Sequence, residues 1–159
     1  MVLAIDPGPT ISGTVLMDGF HIRHASAVES VNLFSLQFLF WSFEIETLSQ
    51  IIVEGMSFQG KMAGGEVIAT AMVIGKIDGY FSAKGIPVSI LTRHEVLRRL
   101  QCSKDAEVRA LMIERYGPPK IKEFDEGKKK IVSRPGPTAN VTSHCWQALG
   151  LYEAWTRGK

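Results

Sequence analysis

Residues 2–16, VLAIDPGPTISGTVL, decide the prediction of the fold. Four apolar residues lead to Asp6, a Pro-Gly-Pro break follows, and a second apolar strand is predicted at residues 13–17. Asp-Pro-Gly favours a tight reversal, so the stretch predicts a β-hairpin. A carboxylate at the end of a buried strand is also costly unless a cation compensates for it. Asp6 is therefore either a turn residue or part of a charged site, and this stretch leaves both interpretations open.

The remaining elements follow from turn signals and hydrophobic periodicity. Asp18-Gly19 is a hairpin signal that predicts a third antiparallel strand at residues 20–27. Short apolar runs predict two further strands at residues 50–55 and 86–91. Helices are predicted at residues 34–48, 65–83, 93–100, 103–116 and 141–155, with Ser103 as an N-cap. This order predicts an α/β fold with a mixed five-stranded sheet, three antiparallel strands followed by two parallel ones, flanked by helices.

Size and composition predict one domain that spans residues 1–159. The chain is 45% hydrophobic, which is enough for one core. The two cysteines, Cys102 and Cys145, follow no metal-binding spacing and are expected to be reduced thiols in a reducing compartment. No basic-then-apolar leader opens the chain, and the most apolar run, within residues 31–48, is too interrupted by polar residues to span a bilayer. We therefore expect a cytoplasmic protein with no membrane partner.

Charge is distributed unevenly along the chain. Residues 1–86 hold 4 Lys/Arg and 8 Asp/Glu, whereas residues 87–159 hold 14 and 8. A basic half suits a polyanionic partner, although solvated helix faces produce the same count. Residues 118–139 are rich in lysine, proline and glycine and lack an apolar period, so a mobile basic loop is predicted there.

Two acids are predicted to end neighbouring strands. Asp6 ends the first strand and Glu54 ends IIVE, which we expect to lie beside it. Two adjacent carboxylates repel each other unless a hard cation lies between them, so a metal site is predicted. The alternative is that Glu54 is a solvated acid at a strand end. His144 and Gln147 share one face of the last helix, where a lone histidine is also common as a hydrogen-bonded core residue.

Four segments of the chain resemble the RuvC family of Holliday-junction resolvases, within the RNase H-like superfamily. They are LAIDPGPTISGTVLMDG, IIVEGMSFQGKMAGGEVIATAMVIGKIDGYF, PVSILTRHEVLRRLQCSKDAEVRALMIERYG and SHCWQALGLYE. Each segment is a weak signal alone, but their order and spacing are specific, and they cover nearly the whole chain. The short loops and the stretches CSKDAEVR and RPGP are more similar to phage-borne relatives.

The resemblance implies a metal-dependent catalytic site. Asp6 matches the first metal ligand of the family, Glu54 the second, and His144 the His/Asp position of the closing helix. Gln147 falls where the family has an aspartate, so this site would hold less negative charge. The implied chemistry is phosphodiester hydrolysis with two magnesium ions, for which manganese can substitute, and with all four residues in catalytic roles.

The resemblance also implies a homodimer that binds branched DNA, because paired nicks across a four-way junction need two sites. The long helix at residues 65–83 could be the dimer contact or simply part of the core. Phe58 is expected to help open the junction, or to anchor its loop, and Arg98 to replace a lysine that is absent at Leu97. The predicted DNA-binding residues are Phe58, Lys61, Arg98, Lys104, Lys128, Lys129, Lys130 and Arg134.

Three functional hypotheses remain open at this stage. The first is a structure-selective endonuclease that cleaves branched DNA. The second is a non-catalytic protein that keeps the fold and binds branched DNA, with Gln147 as the mark of lost activity. The third is an α/β domain of unrelated function, for which the two strand-end acids would be accidental.

Overall fold

From one edge to the other, the five-stranded sheet consists of the strands that begin at His21, Ile11, Val2, Gln50 and Val88, so the strand that opens the chain lies at its centre. The computed structural model describes residues 1–30, 47–56, 64–127 and 129–158. The strands are β1 (Val2–Asp6), β2 (Ile11–Asp18), β3 (His21–Glu29), β4 (Gln50–Gly55) and β5 (Val88–Thr92). Strands β1 to β3 pair antiparallel, whereas β4 is parallel to β1 and β5 to β4. The predicted mixed sheet is confirmed.

Helices cover both faces of this sheet. In the described residues they are α1 (Gly65–Ser82), α2 (Arg93–Leu100), α3 (Asp105–Tyr116) and α4 (Cys145–Arg157). Helix α1 packs on one face, and α2, α3 and α4 pack together on the other, with nine of the thirteen residues of α4 buried. None of the helices in the described part of the chain is long and apolar enough to cross a membrane.

Strand alternation directs the two acids toward α4. Successive side chains of a strand point to opposite faces of a sheet. Leu3 and Ile5 belong to the core cluster under α1, whereas Ala4 and Ile52 belong to the cluster under α4. Asp6 and Glu54 have the same parity as Ala4 and Ile52, so both carboxylates lie on the α4 side.

Residues 118–139 differ from the expectation of a loop without regular structure. They contain an antiparallel hairpin, β6 (Lys120–Asp125) and β7 (Lys130–Pro135), which forms a separate two-stranded sheet. The expectation was wrong because a strand was predicted only where one of its faces was apolar. Both faces of this hairpin are largely exposed, so polar and apolar residues can occupy either side.

Two helix boundaries also differ from the prediction. The last helix begins at Cys145 rather than at residue 141, because Ser143 has a left-handed backbone with φ of 30° and Val141 is buried in the core. Helix α3 begins at Asp105, and Ser103 is not its N-cap. Instead the Ser103 backbone N–H and hydroxyl both donate to the Glu107 carboxylate. The helix predicted at residues 34–48 falls largely on residues 31–46, outside the described residues.

Candidate active site

Asp6 and Glu54 meet at the carboxyl ends of two adjacent parallel strands. The β1–β4 register pairs Ile5 with Val53, so the two acids follow at the same level of the sheet. They line an open cavity of about 520 Å³. Its remaining lining residues are Arg93, Asp105, Ser143, His144 and Gln147. The cavity therefore brings together the four residues that the sequence singled out for catalysis.

Asp6 is a poorly compensated acid. Its side chain is 16% exposed, and its Oδ2 lies 3.2 Å from His144 Nδ1. Burial raises the pKa of Asp6 above its usual range, although the hydrogen bond and charge of His144 oppose this shift. The burial of Asp6 is thus offset only in part, by the contact with His144 and the charge of Arg93.

Glu54 is also incompletely compensated. Its side chain is 14% exposed, and Arg93 Nη1 lies 3.3 Å from its Oε2. Burial raises the pKa of Glu54 to about 7, and the charge of Asp6 adds to the shift, while Arg93 offsets only part of it. An acid with a purely structural role normally has partners that keep it ionised. A carboxyl group whose pKa is raised this far in an open cavity therefore marks a candidate functional site.

Arg93 and Asp105 complete the cavity and were missed by the sequence analysis. The Arg93 guanidinium bridges Glu54 and Asp105, and Gln147 Nε2 donates to Asp105 Oδ2 at 3.4 Å. Both residues open a helix. An aspartate is common there because the helix N-terminus stabilises negative charge, whereas an arginine gains nothing from that position. The signal that could have found Arg93 was its position in the chain. Arg93 directly follows β5, whose Thr92 pairs with Gly55, so α2 starts at the edge that carries the acids.

A glycine lets α4 start close to the sheet. Gly13 of β2 pairs with Asp6 across the β1–β2 ladder. A Cβ atom at residue 13 would overlap the backbone carbonyl and the Cβ of His144. The absence of a side chain at this position therefore allows His144 to reach Asp6.

The donor atoms in the cavity fit a divalent cation in kind. Asp6, Glu54 and Asp105 offer carboxylate oxygens, and Gln147 offers an amide Oε1 that is buried without a hydrogen-bond partner in the described structure. Hard cations prefer such oxygens. Among the described residues, however, no group of three or more His, Cys, Asp or Glu side chains is arranged to hold a metal ion. Because Arg93 holds Glu54 and Asp105, a cation that uses either carboxylate has to displace or share with the guanidinium.

The predicted DNA-binding residues do not line this cavity where the structure describes them. Arg98 and Lys104 are exposed, and Lys104 Nζ lies 4.0 Å from the Glu107 carboxylate. Lys129, Lys130 and Arg134 belong to the β6–β7 hairpin, where Arg134 pairs with Glu123 at 3.5 Å. Phe58, Lys61 and Lys128 lie outside the described residues.

A second cavity connects the acidic site with the root of the hairpin. It has a volume of about 600 Å³ and shares Asp105, Ser143 and Gln147 with the first cavity. It extends past Arg109, whose guanidinium lies 5.3 Å from the centre of the Trp146 ring, to Pro119 beside β6. The two cavities are therefore adjacent, and together their linings extend from the carboxylates to the base of the hairpin.

Comparison with solved structures identifies the architecture. No protein-family model matches the sequence, and no curated protein sequence matches it. T. thermophilus RuvC in complex with a Holliday junction substrate aligns with a TM-score of 0.68 and 16% identity, over 98% of this chain and 92% of that chain. A second Thermus thermophilus RuvC structure aligns with a TM-score of 0.62 and 17% identity, over 98% and 93%. Together with the observed strand order, these similarities show that the chain has the RNase H-like fold of RuvC.

Proposed function

We propose that the chain is a metal-dependent, structure-selective endonuclease that cleaves branched DNA, such as Holliday junctions, by phosphodiester hydrolysis. The observation that carries the proposal is the pair of under-compensated carboxylates, Asp6 and Glu54, at adjacent strand ends in an open cavity. The fold supports it, because a RuvC of the same architecture has been solved with a Holliday junction substrate.

Four residues of the cavity have an assigned role in this proposal. Asp6 and Glu54 would hold magnesium, or manganese in its place, at two ions per site, and His144 would be a further ligand or would orient water. Gln147 offers its free Oε1 to the same shell. Bound divalent cations supply activation of water and neutralisation of charge on the scissile phosphate. Because His144 contacts Asp6 through Nδ1, we assign its Nε2 to orienting the attacking water.

Basic residues outside the cavity supply contacts with DNA phosphates in this proposal. We assign phosphate contacts to Arg98, Lys104, Lys129, Lys130 and Arg134, with a smaller contribution from Arg134 because Glu123 partly neutralises it. Phe58, Lys61 and Lys128 remain predicted DNA contacts.

The proposal includes a homodimer that acts in the cytoplasm of a bacterium or of a phage-infected host cell. Paired nicks across a junction need two sites. Ile68 and Met72, which are exposed large apolar side chains on α1, support this helix as the dimer contact.

A second candidate function is a non-catalytic protein that binds branched DNA. Two observations favour it. Arg93 already pairs with Glu54 and Asp105, and residue 147 is a neutral glutamine. In this case the guanidinium would be a permanent structural cation rather than one that a metal displaces.

A cleavage assay separates the two candidates. Purified protein is incubated with labelled four-way junction, flap and duplex of matched sequence, in magnesium, manganese or EDTA. We expect metal-dependent cleavage of the branched substrates. Asp6→Asn should lower the rate on the order of 1,000-fold and leave junction binding nearly unchanged. Junction binding without cleavage in either metal would establish the non-catalytic alternative, and cleavage by Asp6→Asn at the wild-type rate would contradict the assignment of the site.

A further inference from the structure

The β6–β7 hairpin is held firmly at its root and projects away from the core. The Thr138 hydroxyl, which is fully buried, donates to the Gly117 carbonyl at 2.8 Å. Across the two chain segments, the Gly136 N–H donates to the Pro119 carbonyl at 2.9 Å, and a Cβ atom at Gly136 would overlap the Pro118 carbonyl. These contacts orient the hairpin relative to the cavity that reaches Pro119.

The two faces of the hairpin carry different charges. Directly opposed residues of an antiparallel pair lie on the same face. One face, here called the basic face, therefore consists of Lys120, Lys122, Phe124, Ile131, Ser133 and Pro135. The other, here called the mixed face, consists of Ile121, Glu123, Asp125, Lys130, Val132 and Arg134. The basic face has two cations and no carboxylate, whereas the mixed face has two cations and two carboxylates.

The basic face also exposes two large apolar side chains beside the turn. Phe124 is 62% exposed and Ile131 is 69% exposed, and the two residues oppose each other in the ladder. A two-stranded hairpin that buries little on either face is marginally stable by itself. An apolar pair that remains exposed on such an element is typical of an interaction surface.

Charge complementarity identifies the partner as nucleic acid. Lysines without neighbouring carboxylates suit a polyanion, and aromatic or aliphatic side chains are the groups that proteins place against bases or insert between base steps. A two-stranded ribbon also fits a groove of DNA. A protein partner would use the apolar pair but would not require both strand carboxylates, Glu123 and Asp125, to lie on the opposite face.

We propose that the basic face of the hairpin binds DNA at a branch point, with Phe124 and Ile131 against an exposed or weakly stacked base. Lys120 and Lys122 contact the adjacent phosphates. The inference rests on the proposed function for the identity of branched DNA as the substrate. The cavity from Asp105 to Pro119 supplies the path between the bound branch point and the acidic site.

The test compares matched threonine variants on the two faces. Threonine keeps the strand propensity while removing the large apolar surface. The double variant Phe124→Thr/Ile131→Thr should weaken binding to a four-way junction at least tenfold and binding to duplex less than threefold. Ile121→Thr, on the mixed face, is the control and should leave both affinities unchanged. Binding is measured by fluorescence anisotropy, and circular dichroism checks that the variants keep their strands.

The lysines are tested by the dependence of binding on salt. Lys120→Gln/Lys122→Gln should weaken binding to junction and duplex alike. It should also reduce the slope of log affinity against log salt by about 2, as expected for two lost phosphate contacts. An unchanged slope would overturn the assignment of these lysines to phosphates.

Failure of this inference differs from failure of the proposed function. Unchanged junction affinity in Phe124→Thr/Ile131→Thr, an equal loss in Ile121→Thr, or no DNA binding by the wild type would overturn the inference. A wild type that binds junctions through Phe124 and Ile131 but cleaves none of them would support the inference and overturn the endonuclease.

Discussion

Helix α4 has a pair of partly buried carboxylates beside its start and one buried carboxylate of its own near its end, and these two regions differ in how well their acids are paired. At its start, Asp6 and Glu54 share one histidine and one arginine, and burial raises the pKa of both acids. Near its end, Glu153 is 1% exposed and is surrounded by donors. The same residue types thus occur in an under-compensated pair and in a fully compensated network.

The Glu153 network satisfies its carboxylate from three directions. Arg115 Nε lies 2.8 Å from Oε2, Arg157 Nε lies 2.9 Å from Oε1, and the Tyr116 hydroxyl donates to Oε2 at 3.1 Å. Burial and the charge of Glu153 together raise the pKa of the Tyr116 hydroxyl, so it remains a donor. A carboxylate paired in this way stabilises the contact between α3 and α4. One that lacks such partners is suited to an added cation.

The largest effect on stability is expected at Glu153. Glu153→Gln removes the charge that faces Arg115 and Arg157 and should lower the free energy of unfolding by about 3 kcal/mol. The measurement is urea denaturation at pH 7 in EDTA. A loss below about 1 kcal/mol would mean that water hydrates the two partly exposed arginines well enough that the carboxylate charge adds little stability.

The same substitution at Glu54 should have the opposite sign. The pKa of Glu54 is about 7 in the fold against 4.5 in a free side chain, so the folded state retains a proton that the unfolded chain has lost. Wild-type stability should therefore fall as pH rises from 4.5 through 7. At pH 8 in EDTA, Glu54→Gln should be more stable than the wild type by about 2 kcal/mol, since each pKa unit corresponds to about 1.4 kcal/mol and solvent access reduces the full effect.

The control for Glu54→Gln is the same comparison at pH 4.5, where the two proteins should be nearly equally stable. Magnesium should stabilise the wild type at pH 8 and leave Glu54→Gln nearly unaffected. If Glu54→Gln were less stable than the wild type at pH 8, the ion pair with Arg93 would stabilise the Glu54 carboxylate by more than burial destabilises it. Glu54 would then be as well compensated as Glu153.

A smaller effect is expected when Arg93 is replaced. Arg93→Gln frees Glu54 and Asp105 from the guanidinium, so manganese affinity without DNA should rise about tenfold, as measured by calorimetry. Arg157→Gln removes an arginine from the Glu153 network and should leave manganese affinity unchanged. Equal affinity in Arg93→Gln and the wild type would mean that the guanidinium does not compete with the metal.

The smallest effect is expected at Gln147. Gln147→Asp adds a carboxylate beside Asp105, and the two charges repel each other until a cation is bound. Manganese affinity should rise by about threefold to fivefold, with a small loss of stability in EDTA. Gln147→Asn, which adds no charge, is the control. If Gln147→Asp binds manganese no better than Gln147→Asn does, residue 147 does not contact the metal.

The sequence predicted the parts of the fold and of the site that depend on local pattern. Short apolar runs and turn residues located the five strands of the sheet, and the position of Asp6 and Glu54 at two strand ends predicted that the two acids lie close together. These features need only the residues within one element and the order of the elements. His144 precedes the first residue of α4 instead of lying within the helix, but it lines the same cavity as Gln147.

The features that were missed have two different causes. Arg93 and Asp105 meet Glu54 only because α2 and α3 both start at the same sheet edge. The hairpin was missed because neither of its faces is buried, so its strands carry no apolar alternation. Local propensity cannot predict contacts such as those of Arg93, whose partners lie in other elements of the chain.

Gly13 provides a marker by which sites of this kind can be recognised in other sequences. It has no functional group, yet its missing side chain is the space that the His144 backbone occupies opposite Asp6. A larger residue there would push the start of α4 outward and separate the histidine from the acid, while the strands could still pair. An acid at a strand end followed seven residues later by a glycine is therefore a more selective pattern than the acid alone. That pattern can be searched for in sequences too divergent to align.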